Sequence, residues 1–478
     1  MDGITSVSII VLFLRSLGVD VSYYIPDRVS EGYGLNEDAV RRIADRGADL
    51  IITVDCGISN HQEIELAKSL GISVVVTDHH EVPDVLPDAL AVLDPKRPDC
   101  RFPYNNLAGV GIAYNLLVAL RMRMRDEGTF DELPNLKRYL DLVALGTVAD
   151  IVPLVGENRI FVKYGLIELN ETERPGILAL KEITGIKNVG TTEISFRIAP
   201  RINASGRVGS ADQSVKLLTT EDPAEALAIA RDLDRDNRTR QEMEEMVLRQ
   251  ALDAIDHETL DRNCSIVLAS EEWHPGVVGI VASRLVDRYY RPIILMSLSD
   301  GIAKGSARSI HGFHIYQGLT KLDTLLLGFG GHQYAAGLSM EKDNISEFRD
   351  RFDAVVREMT CEEDFIPTVK IDAEIALSDI HKRNLLHEIK LMMPFGAGNP
   401  EPQFLTRCVM VKEARIVGRN HLRMVFKDDK MNWDAIAFGH GKLLNNPIDT
   451  VDAVFAIREN RWHRGGSCEL HIKNIKVE

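Results

Sequence analysis

The chain has 478 residues, of which 45% are hydrophobic and 27% charged, a composition typical of soluble globular proteins and not of disordered ones. At this length, the usual size of domains predicts roughly three of them. The net charge of -15 excludes a surface that binds nucleic acid all over, because phosphates repel acidic residues. A local basic groove, or acidic residues neutralised by a bound metal, remains open.

The cysteines and the first apolar segment bear on the compartment. The six cysteines include no CxxC pair, so neither a zinc ribbon nor a disulfide scaffold is indicated, and a cytoplasmic location is predicted. The apolar run from Val7 to Leu14 is too short to span a bilayer and ends at Arg15. It is interpreted as a buried helix, and no association with a membrane is predicted.

The first part of the chain alternates helix and strand patterns. The predicted elements, in order, are a helix over Ile4 to Leu17, a strand over Val21 to Ile25, a capped helix over Asn36 to Arg46, a strand over Leu50 to Val54, a helix over Gln62 to Leu70 and a strand around Val74. Such alternation predicts βαβ units and a mainly parallel sheet. Asp2 and Gly3 stand directly before the first helix, where these folds normally have a strand tip.

The rest of the chain contains five further patterns. Asp141 to Val148 is an apolar helix or strand, and Pro200 to Arg207 is predicted to be a loop because of its Gly and Asn. A long charged helix is predicted from Asp222 to about Asp256. A second α/β unit opens at Ser265, and short alternating runs from about Ile366 predict a small β-barrel.

A short β-branched run ends in Asp78, His79 and His80. Successive side chains of a strand point to opposite faces, so at least one histidine must lie at the strand tip or beyond it. A solvated polar loop is the alternative. Asp55 ends the preceding strand, so a βαβ unit would place it at the neighbouring tip, and Asp150 and Asp2 are candidates to join it.

Carboxylates and imidazoles that converge without thiolates suit Mn²⁺ or Mg²⁺ better than a structural zinc. Clustered carboxylates need a cation, since like charges at close range cannot all stay ionised. Two such ions can clamp the attacking and leaving oxygens of a phosphoryl displacement. Phosphoester hydrolysis is therefore the chemistry that the pattern predicts.

These residues carry a resemblance. The segment from Asp2 to Ser6 resembles the end of the DxDxDG(I/V)TS motif of the DHH phosphoesterases, and three further motifs follow in order, Val54-Asp55, Asp78-His79-His80 and Gly146-Thr147-Val148-Ala149-Asp150. Within that superfamily, the chain is most similar to the RecJ family. The similarity extends to segments that include Pro26 to Gly34, Pro200 to Arg207, Gly276 to Ala282, Gly328 to Gly337 and Pro394 to Pro402, and it covers essentially the whole chain.

The resemblance implies an α/β fold, in which a parallel-sheet DHH domain is joined by a long helix to a smaller α/β DHH-associated domain, followed by an OB-fold barrel. The implied boundaries are residues 1–215 for the DHH domain with its first strand missing, 216–258 for the connecting helix, 259–360 for the DHH-associated domain and 361–478 for the barrel.

By the same resemblance, the metal ligands are Asp2, Asp55, Asp78, His79 and Asp150, with Asp78 orienting or ligating, and His80 faces the scissile phosphate. The family's first motif has two further aspartates, which would fall before Met1. We therefore expect the reading frame to extend upstream. In this chain as given, the second metal would lose most of its protein ligands. The activity of these 478 residues alone is therefore an open question.

The resemblance also implies substrate contacts. Arg28, Arg207, Ser306 and Arg308 correspond to a pocket for the 5′-terminal phosphate, and His332 to a contact in the glycine-rich segment. In the last domain, basic residues are interleaved with aromatic ones, a pattern that suits single strands, and Arg419 and Arg423 are its surface candidates. Guanidinium groups suit phosphate through paired hydrogen bonds. The alternative is that the arginines are solvated, that Gly330-Gly331-His332 is a plain turn, and that Trp433 and Phe438 belong to the barrel core.

The function implied by the resemblance is a metal-dependent 5′ to 3′ exonuclease acting on single-stranded DNA in repair and recombination. Its expected partners are single-stranded DNA, a helicase and a single-strand-binding protein, and the expected state is a monomer. Two alternatives stay open: a DHH hydrolase of short oligonucleotides, and a single-strand-binding relative with an impaired site.

Overall fold

The structure is a computed structural model, and it describes residues 1–26, 31–32, 34–128, 130–208, 211–255, 260, 262–428, 431–445, 448–460 and 468–477. Within this part of the chain there are three sheets. No helix found there is both long and apolar enough to cross a membrane.

The first sheet is parallel, as predicted. Its strands are β1 (Leu50–Val54), β2 (Ser73–Thr77) and β3 (Ala91–Leu93), which lie in the order β1-β2-β3. Leu50 pairs with Ser73 and Val54 with Thr77, so β1 and β2 end level with each other. The residues that follow these two strands therefore emerge side by side at one edge of the sheet.

Helices form most of the first domain. They are α1 (Asp2–Ser16), α2 (Glu37–Asp45), α3 (His61–Ser69), α4 (Gly109–Glu127), α5 (Leu140–Ala149), α6 (Gly156–Glu171), α7 (Pro175–Thr184), α8 (Thr191–Glu193), a π-helical turn (Ile194–Ile198), α9 (Ala199–Val208) and α10 (Asp212–Thr219). The Asn36 side chain accepts a hydrogen bond from Ala39 N at 2.8 Å, which caps α2 as its sequence predicts. Their largest shared core includes Phe13, Leu117 and Leu142, all fully buried.

Two local predictions were wrong. The stretch from Val21 to Ile25 is not a strand, because it forms no ladder with any strand of the described residues, and a strand exists only through its hydrogen-bonded partner. Pro200 to Arg207 is not a loop but part of helix α9. There, Ile202 and Ala204 are fully buried, and this tertiary burial outweighs the low helix propensity of Asn203 and Gly206.

The long helix α11 (Pro223–Ala254) connects the first domain to the second and matches its prediction. The second domain has a five-stranded sheet with β4 (Ile266–Ser270), β5 (Ile293–Ser299), β6 (Ile302–Arg308), β7 (Gly328–Gly331) and β8 (Ala335–Glu341) in the order β4-β5-β6-β8-β7. Its helices are α12 (Pro275–Tyr289), α13 (Ile315–Thr320) and α14 (Ile345–Met359). The glycine-rich segment is thus a strand, β7, and not a plain turn.

The last domain is the predicted barrel. Its elements are β9 (Ala373–Glu374), α15 (Asp379–Lys382), α16 (Leu385–Met392), β10 (Phe404–Val417), β11 (His421–Asp428), β12 (Met431–Ala437), β13 (Thr450–Glu459) and β14 (Cys468–Val477). Strand β10 pairs with both β11 and β13, which closes the barrel. Trp433 is buried in its core, whereas Phe438 is 54% exposed, so the two rings have different environments.

The barrel is joined to the first domain by hydrogen bonds to backbone groups. Leu154 N donates to Ala397 O at 2.7 Å, and Thr191 Oγ1 donates to Phe395 O at 2.9 Å. Arg159 Nη2 donates to the carbonyl oxygens of Leu391 and Met393 at 2.9 and 3.1 Å. This set of contacts, which we call the barrel joint, fixes the approach of the third domain to the first.

Candidate metal centre and substrate cleft

Four segments of the first domain bring their polar side chains to one place. Asp55 follows β1, His79 and His80 follow β2, Asp150 ends α5, and Asp2 begins α1. Potential ligand atoms of Asp55, His79 and His80 lie within 4.8 Å of one another, and the same holds for Asp2, His79 and Asp150. His79 belongs to both groups and is the centre of the cluster.

Asp2 is held by the first turn of α4. Its Oδ2 accepts a hydrogen bond from Gly109 N at 2.6 Å, and its Oδ1 accepts one from Val110 N at 2.9 Å. The first N–H groups of a helix lack partners within the helix and attract a carboxylate. Asp2 is only 3% exposed, so these two bonds fix its position inside the fold.

Two glycines make room for Asp2. A Cβ at Gly109 would lie 2.9 Å from Asp55 Cβ and 3.0 Å from Asp2 Oδ2. A Cβ at Gly146 would lie 3.0 Å from Asp2 Oδ1 and would collide with Thr5 Oγ1. Both helices, α4 and α5, can therefore approach the carboxylates only because these positions lack a side chain.

His79 is oriented by a backbone carbonyl. Its Nδ1 lies 3.1 Å from Leu107 O, and a carbonyl oxygen only accepts, so Nδ1 carries a proton. The other nitrogen, Nε2, lies 3.1 Å from Asp55 Oδ1 and 3.8 Å from Asp150 Oδ2. Histidines that ligate metals commonly donate their second N–H in this way, which turns the ligating nitrogen toward the ion.

Asp78 orients its neighbours. Its carboxylate is 1% exposed, and it accepts hydrogen bonds from Ile58 N at 2.9 Å, His79 N at 2.8 Å and His80 Nδ1 at 2.7 Å. Burial raises the pKa of Asp78, but the hydrogen bonds from His80 and Ile58 outweigh it, so the net shift is downward. These donors occupy both oxygens, which favours an orienting role over a ligating one.

The charges of the cluster call for a cation. Burial, with the charges of Asp55 and Asp150, raises the pKa of Asp2 to about 8. Burial also raises the pKa of Asp150 to about 6. For His79, burial lowers the pKa, but the hydrogen bond to Asp55 and the charges of Asp2 and Asp150 outweigh it and raise the value to about 9. These carboxyl and imidazole groups retain protons because no cation balances the negative charges of the cluster. Oxygen and imidazole ligands of this kind suit a hard or borderline divalent ion.

Ser306 and Arg308 form a polar corner in the second domain. Arg308 Nη1 donates to Ser306 Oγ at 2.8 Å, and Nε donates to Ser283 Oγ at 3.2 Å. A Cβ at Gly279 would lie 2.7 Å from Ser306 Oγ and 2.9 Å from Arg308 Nη2. Burial lowers the pKa of the Arg308 guanidinium. Ser306 and Arg308, predicted as partners in one pocket, thus lie together beneath helix α12.

Three of the other predicted substrate residues belong to the described part of the chain. His332 follows β7, Arg419 lies in the exposed turn between β10 and β11, and Arg423 on β11 pairs with Asp434 Oδ1 at 3.5 Å. Arg28 lies outside the described residues. Arg207 belongs to α9, but its side chain also lies outside the described part of the chain.

Sequence reasoning missed residues that act through their backbone. Gly109 and Val110 hold Asp2, Gly146 admits it, and Leu107 O orients His79. For Leu107, Gly109 and Val110, the signal was the run Leu107-Ala108-Gly109-Val110-Gly111, in which two glycines open an apolar helix. It also missed Lys96, whose Nζ donates to Glu81 Oε1 at 2.9 Å beside the cluster.

Comparison with known proteins divides the chain in the same way. Residues 1–147 match the DHH family, N-terminal domain, residues 263–358 match the DHHA1 domain, and residues 371–474 match the RecJ OB domain. These three matches follow the order of the three sheets.

Several curated relatives are similar along the whole chain. The single-stranded-DNA-specific exonuclease RecJ of Bacillus subtilis is 39% identical, over 100% of this chain and 60% of the relative. The same enzyme of Escherichia coli is 39% identical, over 99% of this chain and 85% of the relative. The chain thus spans less than two thirds of the Bacillus protein but most of the Escherichia protein.

A solved structure agrees. RecJ of Thermus thermophilus in complex with Mn²⁺ has a TM-score of 0.84 and 34% identity, and the match covers 100% of this chain and 67% of that one. A Mg²⁺ complex from the same organism has a TM-score of 0.78 and 32% identity, over 100% of this chain and 66% of that one. On the curated relatives, the three domains and this structure together, the chain belongs to the RecJ family of DHH phosphoesterases.

Proposed function

We propose that this protein is a metal-dependent exonuclease that hydrolyses single-stranded DNA from the 5′ end, in repair and recombination. The observation that carries the proposal is the cluster of Asp2, Asp55, His79 and Asp150, whose donor set suits Mn²⁺ or Mg²⁺. Burial raises the pKa values of Asp2 and Asp150 in this cluster. The names of the relatives supply the substrate class.

The side chains of the cluster have different roles in this proposal. Asp2, Asp55, His79 and Asp150 would hold the ion, while Asp78 fixes both histidines. Bound there, Mn²⁺ or Mg²⁺ would lower the pKa of a water and neutralise charge on the phosphate. The hydrogen bond to Asp78 is the main cause that raises the pKa of His80. His80 is therefore suited to donate a hydrogen bond to the scissile phosphate.

Direction would come from the corner of Ser306 and Arg308. A 5′-terminal phosphate carries more charge than an internal phosphodiester, and a buried guanidinium donates paired hydrogen bonds to it. The barrel, with Arg419 and Arg423, would hold the strand that enters. A dinucleotide is too short to use such a barrel, which speaks against the short-oligonucleotide alternative.

The test is a cleavage assay with the protein in Mn²⁺. We expect mononucleotides from 5′-phosphorylated single strands, little cleavage of blunt duplex, and slower cleavage of 5′-hydroxyl ends. The Asp150→Asn variant serves as the control without cleavage. Preference for dinucleotides would favour the short-oligonucleotide hydrolase, and tight binding of single strands without cleavage would favour the binding protein.

A further inference from the structure

Lys96 lies at the same sheet edge as the metal cluster. It follows β3 by three residues, and its backbone N–H donates to Asp94 Oδ1 at 2.8 Å, which fixes the turn after the strand. Its Nζ donates to Glu81 Oε1 at 2.9 Å, and Glu81 follows directly on His80. Lys96 and Glu81 thus form an ion pair beside the cluster.

The two partners differ in exposure. The Lys96 side chain is 27% exposed, whereas that of Glu81 is 75% exposed. The lysine is therefore largely buried, whereas its carboxylate partner lies mostly in solvent. An ion pair with so exposed a partner contributes little to stability, so its loss costs little.

Glu81 also has a second basic group beside it in the chain. His80 precedes it directly, and Lys96 donates to its Oε1 at 2.9 Å. A lysine and an imidazole next to one anion are groups that also bind a phosphate.

We propose that Lys96 binds a phosphate of the DNA strand next to the metal cluster, and that Glu81 occupies this position in the free protein and yields it to the strand. The inference rests on the proposed function, because it concerns the same cleft. The strand can displace Glu81 because other groups of the cleft also bind its phosphodiester. Glu81 is held at this position only by its weak ion pair with Lys96.

The test compares two neutral variants of nearly the same size. Lys96→Met should raise KM for single-stranded DNA about tenfold, equivalent to ~1.4 kcal/mol, because it removes the phosphate partner. Glu81→Gln should lower KM, because it removes the competing anion. Opposite signs support the proposal, and Lys96→Arg should restore most of the affinity. A rise in KM for both variants would mean that the pair is structural, and would overturn it.

Lys68→Met is the matched control. Lys68, in the last turn of α3, pairs with Asp88, which precedes β3, so this exposed pair lies at the opposite edge of the sheet. Its KM should not change. Should the unaltered protein cleave no DNA, the proposed function fails, and Lys96 is judged by the dissociation constant for fluorescein-labelled oligothymidylate in Ca²⁺. Equal binding by Lys96→Met and the unaltered protein would overturn the proposal.

Discussion

One buried carboxyl group, that of Asp2, shows why the cluster needs a cation. Two N–H donors of α4 stabilise Asp2, yet its pKa stays at about 8 because burial and the charges of Asp55 and Asp150 oppose ionisation. Helix-terminal donors contribute little in comparison with the burial of a charge among like charges. A cation that joins Asp2 would therefore favour its ionised form.

Gly109→Ala should disrupt this cluster. The added methyl group would lie 2.9 Å from Asp55 Cβ and displace Asp55 or Asp2, so Mn²⁺ affinity should fall about 10–100-fold, as for other residues that orient ligands. Isothermal titration with Mn²⁺ measures the effect. Gly111→Ala, two residues on, meets Leu107 Cδ2 only at 3.4 Å and should bind Mn²⁺ normally. Equal losses in both variants would point to a general defect of α4.

Asp94→Asn should stabilise the metal-free protein at neutral pH. Burial raises the pKa of Asp94 from 3.8 to about 6, so its contribution to stability is fully present below pH 3.8 and is lost as pH rises through 6. Asparagine does not ionise, and its Oδ1 can keep the bond from Lys96 N. The gain should reach up to about 3 kcal/mol above pH 6 and vanish near pH 4.

The measurement is Tm in EDTA across this range, for the variant and the unaltered protein. Asp99→Asn is the control, because Asp99 is exposed and pairs with Arg97 on the surface. A gain in Tm that is the same at pH 4 and pH 8 would contradict the ionisation argument.

At the scale of elements, the sequence predicted what depends on local periodicity and missed what depends on partners. The bounds of β1 and α11, and the end of β2 at the cluster, follow from alternating and helical patterns. Val21 to Ile25 has the composition of a strand, but pairing is a property of two segments. Pro200 to Arg207 has the composition of a loop, but Ile202 and Ala204 gain more from burial than Asn203 and Gly206 lose.

Helix α5 carries Asp150 at its end, and its close packing on α6 depends on one glycine. A Cβ at Gly165 would lie 2.6 Å from Ala144 Cβ and would collide with Leu140 O. Gly165→Ala should therefore force the two helices apart and cost about 1–3 kcal/mol of stability. Gly206→Ala, in α9, meets only Ala211 Cβ at 3.9 Å and should gain about 0.5–1 kcal/mol from helix propensity. Urea unfolding distinguishes them, and a loss in both would contradict the packing argument.

At the scale of the whole molecule, the sequence predicted three domains and the order of their architectures, but not how the domains meet. The barrel joint consists largely of backbone carbonyl groups, which leave no signal in the identity of a residue. Arg159 on α6 is the exception, because its guanidinium group donates hydrogen bonds to two carbonyl groups of the last domain. From the sequence alone, an arginine on a surface helix is interpreted as solvated. The partners of Arg159 lie more than 200 residues away in the chain.

Arg159→Met should loosen the barrel joint without altering the metal cluster. The barrel would then hold the incoming strand less firmly, so KM for long oligothymidylate should rise about tenfold, equivalent to ~1.4 kcal/mol, while KM for a dinucleotide stays unchanged. Lys390→Met is the control, because it removes the exposed pair of Lys390 with Glu459 inside the last domain. Parallel losses on long and short substrates would show that the joint acts on the metal cluster instead of on the path of the strand.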